Sequence, residues 1–189
     1  ELCMPAKKQV TREMILAAAV ELLREGGSGA VQVKALAHKL NCSTQPIYLS
    51  FDSMEALHRA LSCEAIEVFL QDISCNGGGE ASLYGMEYIR FAAEEKHLFQ
   101  FLFMRRNAFV QLRQALTPIM NSAISRLMDR YGLDYDEAHY FHDQLWMHTH
   151  GIASMVATDF CQWDMDKVER MVEECHALLS RKYTGAHQL

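Results

Sequence analysis

The chain has 189 residues, half of them hydrophobic and only three of them Pro, with a formal net charge of −6. That length can bury a full core without disulfides or metals. No apolar run reaches the roughly 18–20 residues of a membrane span, and the N-terminus lacks a signal-peptide pattern, so a soluble cytoplasmic protein is the expectation. The six cysteines (Cys3, Cys42, Cys63, Cys75, Cys161 and Cys175) are scattered and form no Cys-x-x-Cys pair. This argues against a zinc spacing and against a disulfide framework, leaving buried or incidental thiols, with a redox-sensing thiol as the minority reading. The acidic total hides an asymmetry: residues 1–50 carry six Lys/Arg against four Glu, whereas residues 51–189 carry twelve Lys/Arg against twenty Asp/Glu. Phosphate binding needs local positive charge, and only the first segment offers it.

Ile15, Ala18, Ala19, Leu22 and Leu23 recur at i, i+3, i+4, i+7 and i+8, which predicts a first helix with one apolar face. Thr11 stands at its N-cap, Val10 and Ile15 can staple across that cap, and Gly26-Gly27 ends the helix. Lys7 and Lys8 form a basic arm ahead of it, while Glu1–Cys3, which precede Met4, are set aside. Val33, Leu36, Ala37 and Leu40 make the apolar face of a short second helix, and Asn41 follows where the backbone must turn left-handed.

Ser43 is expected to cap a third helix by bonding Gln45, with Pro46 inside the first turn and Ile47 and Phe51 pointing inward. Asp52-x-x-Glu55 reads as a capping box that starts a fourth helix through Leu57, Leu61 and Phe69. Gly77-Gly78-Gly79 reads as a linker. Helix-like stretches follow over residues 81–94, 96–104, 107–131, 134–157 and 164–182. Pro118 should kink or restart the third of these, with Thr117 as the new cap. No sustained period-2 run occurs, so the expected fold is all-α.

Two short helices joined by a tight turn and held by a preceding helix make a helix-turn-helix, here over about residues 33–52. Ala37 supplies the small residue at the crossing, and Asn41-Cys42-Ser43 supplies the turn. The second helix must present polar residues early, because that end enters the major groove. Ser43, Thr44 and Gln45 stand there. Gln can pair bidentately with adenine, and Thr can bond a base or touch a thymine methyl.

The stretch Val33 to Phe51 resembles the DNA-binding signature of the TetR family: Leu36-Ala37, Ser43, Ile47-Tyr48, Phe51 and Glu55-x-Leu57 match in order. The resemblance covers residues 10–57. It implies that Thr44, Gln45 and Leu49 face base edges, that Tyr48, Lys34 and Thr11 bind phosphates, and that Ile47 and Phe51 hold the recognition helix. Three residues depart from the pattern: Asn41 replaces the usual Gly, Gln32 replaces a Ser/Thr cap, and Met54 replaces a common phosphate-touching Lys. The last change should weaken DNA affinity and flatten its salt dependence by about one charge.

The resemblance further implies a helix-turn-helix domain over residues 1–56 and a helical ligand-sensing and dimerisation domain over 57–189. Trp146 to Ala153 is similar to a Trp…His-Gly segment of many members. The dimer is expected through residues 134–157 and 164–182, with close helix approach as a reason for Gly151. The implied protein is a repressor that binds a palindromic operator as a homodimer and is released by a small-molecule effector. Phe91, Phe103, Met120, Trp146, Met147 and His150 are candidates for the effector pocket, set against their ordinary use as core. No cofactor and no catalytic residue is expected. The alternative is a helical di-metal carboxylate enzyme using Glu94/His97 and Asp136/His139, an acid-x-x-His spacing that would need further inward Glu residues.

Overall fold

A computed structural model describes residues 9–76, 81–105 and 109–184. The Lys7-Lys8 arm, Glu1–Cys3 and the Gly77–Gly79 linker lie outside the described residues. The chain divides into two compact units, Glu1–Ala65 and Ile66–Leu189. The division falls inside the fourth helix, whereas the sequence suggested a boundary at 56/57. Among the described residues there are nine α-helices and one 3-10 turn, and no strand.

The first unit holds α1 (Arg12–Gly26), a 3-10 turn (Ser28–Ala30), α2 (Val33–Lys39), α3 (Gln45–Ser50) and the start of α4 (Met54–Asn76). α1 begins where the Thr11 hydroxyl accepts from the Met14 N–H at 3.3 Å. It ends at Gly27, whose φ of 70° suits glycine. Its buried face is Ile15, Leu16, Ala18, Ala19, Val20 and Leu23. Leu36 and Ala37 of α2, Ile47 of α3, and Phe51, Leu57 and Leu61 are buried as well, and α1, α2 and α3 pack on one another. Each large side chain so buried contributes about 1.5–3 kcal/mol. Asn41 does adopt the left-handed turn, at φ 49°.

Two expected caps are replaced by neighbours. Thr44, not Ser43, is the N-cap of α3, and no side chain bonds there. Pro46 therefore sits one position nearer the helix start than expected. α4 is capped by Ser53, whose hydroxyl accepts from the Ala56 N–H at 3.1 Å, rather than by Asp52. In both cases the hydrogen-bonding pattern of the backbone, which the sequence does not display, moved the start by one residue.

The second unit holds α5 (Ala81–Glu94), α6 (Lys96–Phe103), α7 (Phe109–Tyr131), α8 (Tyr135–Ala157) and α9 (Met165–Thr184). α5 is the central element: it packs on α8 most extensively, and also on α6 and α9. Gly85 permits this closeness, since a Cβ there would stand 3.3 Å from Val172 and 3.4 Å from the Thr149 hydroxyl. Even Glu87 is buried on this helix, 4% exposed, and its carboxylate pairs with Arg90.

Two clusters stand out among the described residues of the unit. Phe69, Tyr88, Phe91, Phe99 and Phe103 meet edge-on or tilted at centroid distances of 4.8–6.0 Å. Ile124, Leu127, Leu133, Ala138, Phe141 and Tyr183 form the other. α7 runs unbroken past Pro118. Thr117 caps no restart: its hydroxyl donates to the Arg113 carbonyl one turn back, at 2.8 Å. A Cβ built at Gly151 would meet nothing within 4 Å, so no described part of this chain makes a close approach there.

α8 starts with a complete capping box: the Asp134 carboxylate accepts from the Glu137 N–H at 2.9 Å, and Glu137 accepts from the Asp134 N–H at 3.2 Å. Asp134→Ala is expected to destabilise the chain by about 1 kcal/mol, seen as a lowered thermal midpoint in circular dichroism. An unchanged midpoint would show that the box contributes nothing.

Candidate DNA-reading surface and effector cavity

The six residues of α3 split cleanly between inside and outside. Ile47 is buried, as is Phe51 just beyond the helix, while Tyr48 is 63% and Leu49 80% exposed. Ser43 and Gln45 are exposed and Thr44 is half-buried. An aromatic and a leucine left in water on so short a helix cost more than polar residues would, unless another surface covers them. Lys34 is exposed on α2 and makes no ion pair with any described residue. Lys39 does not add free charge: its ammonium lies 2.7 Å from Glu25 and 3.0 Å from Glu21, and those hydrogen bonds raise its pKa. The Thr11 hydroxyl is engaged at the α1 cap and also bonds Glu13, whose carboxyl is lowered first by its own backbone N–H and then by Thr11.

Within the second unit a cavity of about 340 Å³ opens between α5, α7, α8 and α9, with Phe69 and Ile73 of α4 closing one wall. Its walls are mostly hydrocarbon: Phe69, Ile73, Leu116, Ile119, Met120, Ala123, Leu127, Leu145, Trp146 and Val172. Polar groups enter from Tyr88, Arg113, Thr117, Thr149, His139, His142, Asp143 and His176. Of the sequence-derived candidates, Met120 and Trp146 line it. Phe91, Phe103, Met147 and His150 do not. Phe91 is 1% exposed in the aromatic core, and Met147 faces outward at 53% exposure. The residues missed are chiefly the histidines of α8. Their shared helix face was visible in the sequence, but not that α7 and α5 stand off from it.

His150 sits behind the cavity wall. Its ring stacks on Trp146 at 5.0 Å and 12°. Its Nδ1 lies 2.8 Å from the Tyr88 hydroxyl, which burial pushes far above the ordinary phenol range, so Tyr88 stays protonated. Its Nε2 lies 3.4 Å from the Ser154 hydroxyl. Burial lowers its pKa. His142 is also lowered by burial, against the opposing pull of Asp143. Its Nδ1 stands 3.7 Å from the Asp143 carboxylate, beyond hydrogen-bond range, and has no other bond.

The bacterial regulatory protein model of the TetR family matches residues 15–61, and a tetracycline-repressor-like C-terminal domain model matches residues 83–179. The chain belongs to the TetR family. Two solved structures share its fold. The fatty acid degradation regulator FadR from Bacillus halodurans superposes with a TM-score of 0.60 at 19% identity, over 90% of this chain and 98% of that one. A putative TetR-family transcriptional regulator from Vibrio parahaemolyticus gives 0.58 at 16% identity, over 88% and 96%. No curated protein matches the chain.

As a TetR-family member, the protein is a DNA-binding transcriptional regulator with a helix-turn-helix, and not an enzyme. The di-metal alternative also fails on geometry. Glu94 ends α5 and His97 lies in α6, so the acid-x-x-His spacing straddles a helix break at Glu95 and presents no common face. Asp136 is exposed, and His139 pairs with Asp143 at 3.3 Å. Among the described residues no three His, Cys, Asp or Glu side chains converge on a metal position.

Both His142 and His150 are depressed below their ordinary value of 6.5 in the folded chain. The unfolded chain therefore binds more protons below that pH, and stability present above it is lost as pH falls. Thermal midpoints should drop between pH 7 and 5, and His150→Gln should flatten the profile. A midpoint independent of pH over that range would contradict the buried, neutral state of these rings.

Proposed function

We propose that this regulator is a ligand-responsive repressor: a homodimer that reads a palindromic operator in the cytoplasm and leaves it when a small, largely apolar effector occupies the cavity of the second unit. The observation that carries the reading is the cavity itself, a hydrocarbon-walled space with a few polar groups of the kind that binds drug-sized molecules. Release then follows from differential affinity: an effector that binds better to the conformation unfit for DNA shifts the population toward it.

Residues 134–157 and 164–182 are the proposed dimer interface. Tyr140, Met147 and Met155 of α8 and Leu178 of α9 are exposed hydrophobics in these segments. Gly151 lies between Met147 and Met155 with open space before it. A helix-interior glycine costs roughly 1 kcal/mol relative to Ala, and close approach by the same helix of a second copy would offset that. Two heads then read two half-sites one helical turn apart. In each head Ser43, Thr44, Gln45 and Leu49 meet base edges, Tyr48, Lys34 and Thr11 meet phosphates, and the Lys7-Lys8 arm adds charge.

Selection from a random-sequence duplex library at low salt should enrich an inverted repeat. Gln45→Ala should then lower affinity for the enriched duplex by about tenfold and relax the base preference at one position per half-site. Enrichment of no sequence, or an unaffected Gln45→Ala, would overturn the operator reading. For the cavity, anilinonaphthalene sulfonate should bind the wild-type chain and draw energy from Trp146. Ala123→Phe, which fills the space, should abolish that signal while leaving DNA binding intact. Full dye binding by Ala123→Phe would place the ligand elsewhere.

A further inference from the structure

Arg12 begins α1, where a cation opposes the positive end of the helix dipole. Its side chain reaches 38 residues along the chain instead. The guanidinium donates from Nη1 to the Ser50 carbonyl at 2.8 Å and lies over the Phe51 ring at 4.2 Å. Those two residues are the end of the recognition helix. α3 has only six residues, no side-chain bond at its N-cap and no basic residue in its last turn. A helix so short does not hold itself in water. Within α3 the side-chain support is the Ser50 hydroxyl, which donates to the Pro46 carbonyl at 2.9 Å. Ile47 and Phe51 fix the helix axis to the core, but two apolar anchors four residues apart on one side leave rotation about that line weakly constrained. Arg12 adds a directional bond at the free carbonyl end and stacks on one of the two anchors.

We infer that Arg12 is a positioning residue for DNA reading: from the first turn of α1 it holds the C-terminal end of α3 and so sets the angle at which Gln45, Tyr48 and Leu49 meet a duplex. This rests on the operator-binding reading above. Its planar fork can stack on Phe51 and donate to Ser50 together, which a lysine ammonium cannot do. Arg12→Lys therefore keeps the charge and removes the geometry.

Three measurements decide it, on wild type, Arg12→Lys and Arg12→Ala: affinity for the library-enriched duplex, the salt slope of that affinity, and amide exchange in the free protein. Both variants should bind about tenfold more weakly. The slope of log Kd against log salt should stay at the wild-type value, because no phosphate contact is lost. The Tyr48 and Phe51 amides, which close α3 onto the Thr44 and Ile47 carbonyls, should exchange faster in both variants. Wild-type affinity in Arg12→Lys, or a slope reduced by about one charge in Arg12→Ala, would make Arg12 a phosphate ligand and overturn the inference. Unchanged exchange in Arg12→Lys would overturn it too, even if Arg12→Ala fails to fold. Should the wild-type chain enrich no sequence, the operator reading fails by itself, and the exchange measurement still decides whether Arg12 holds α3.

Discussion

The burial of Ile47 and Phe51 is the constraint on which the DNA-reading surface depends. α3 is too short to be stable by its own hydrogen bonds and lacks a side-chain cap. It exists because Ile47 and the adjoining Phe51 are buried where α3 packs on α1 and α2. Everything this helix offers outward follows from that one docking. With Ile47 inside, helical geometry puts Gln45, Tyr48 and Leu49 outside. The charged residues nearby serve the same end. Lys39 is tied to Glu21 and Glu25 of α1, and Arg12 to the end of α3, so both brace the motif.

The second unit depends on the opposite condition, a place where packing stops. Met86, Glu87, Tyr88, Ile89, Phe91 and Ala92 of α5 are buried, and Gly85 lets the helix lie close to α8 and α9. Beside them, Met120 and Ala123 of α7 and Trp146 of α8 border a space that the chain does not fill. Protein interiors normally close such gaps, because each carries a penalty in lost contacts. At its polar edge burial lowers the pKa of His142, and the Tyr88–His150 bond holds the ring behind Trp146. The wall is thus largely apolar, with Arg113 and Asp143 among its polar groups.

Legibility differed by kind of feature. The hydrophobic period gave the helices of the second unit to within a few residues, since a 3.6-residue repeat is written directly in the side chains. Asn41 was readable because few residues accept a positive φ. Caps were less so. Ser43 and Thr44, or Asp52 and Ser53, are chemically equivalent candidates one position apart, and the choice lies in backbone torsions. Thr117 before Pro118 looked like a cap, but its hydroxyl can equally bond a carbonyl four residues back, as it does. The cavity was least legible: Phe91 and Phe103 have the same chemistry as Phe69, yet only Phe69 lines it.

By itself, then, the sequence determined the all-α class, the helix-turn-helix and its inward and outward residues, because those follow from periodicity and local chemistry along one helix. Only the tertiary structure decided which aromatic and histidine side chains border the cavity, that Lys39 and Arg12 are spent on bracing, and that Gly151 faces open space. Those depend on distances between helices far apart in the chain, and residue type does not encode such distances.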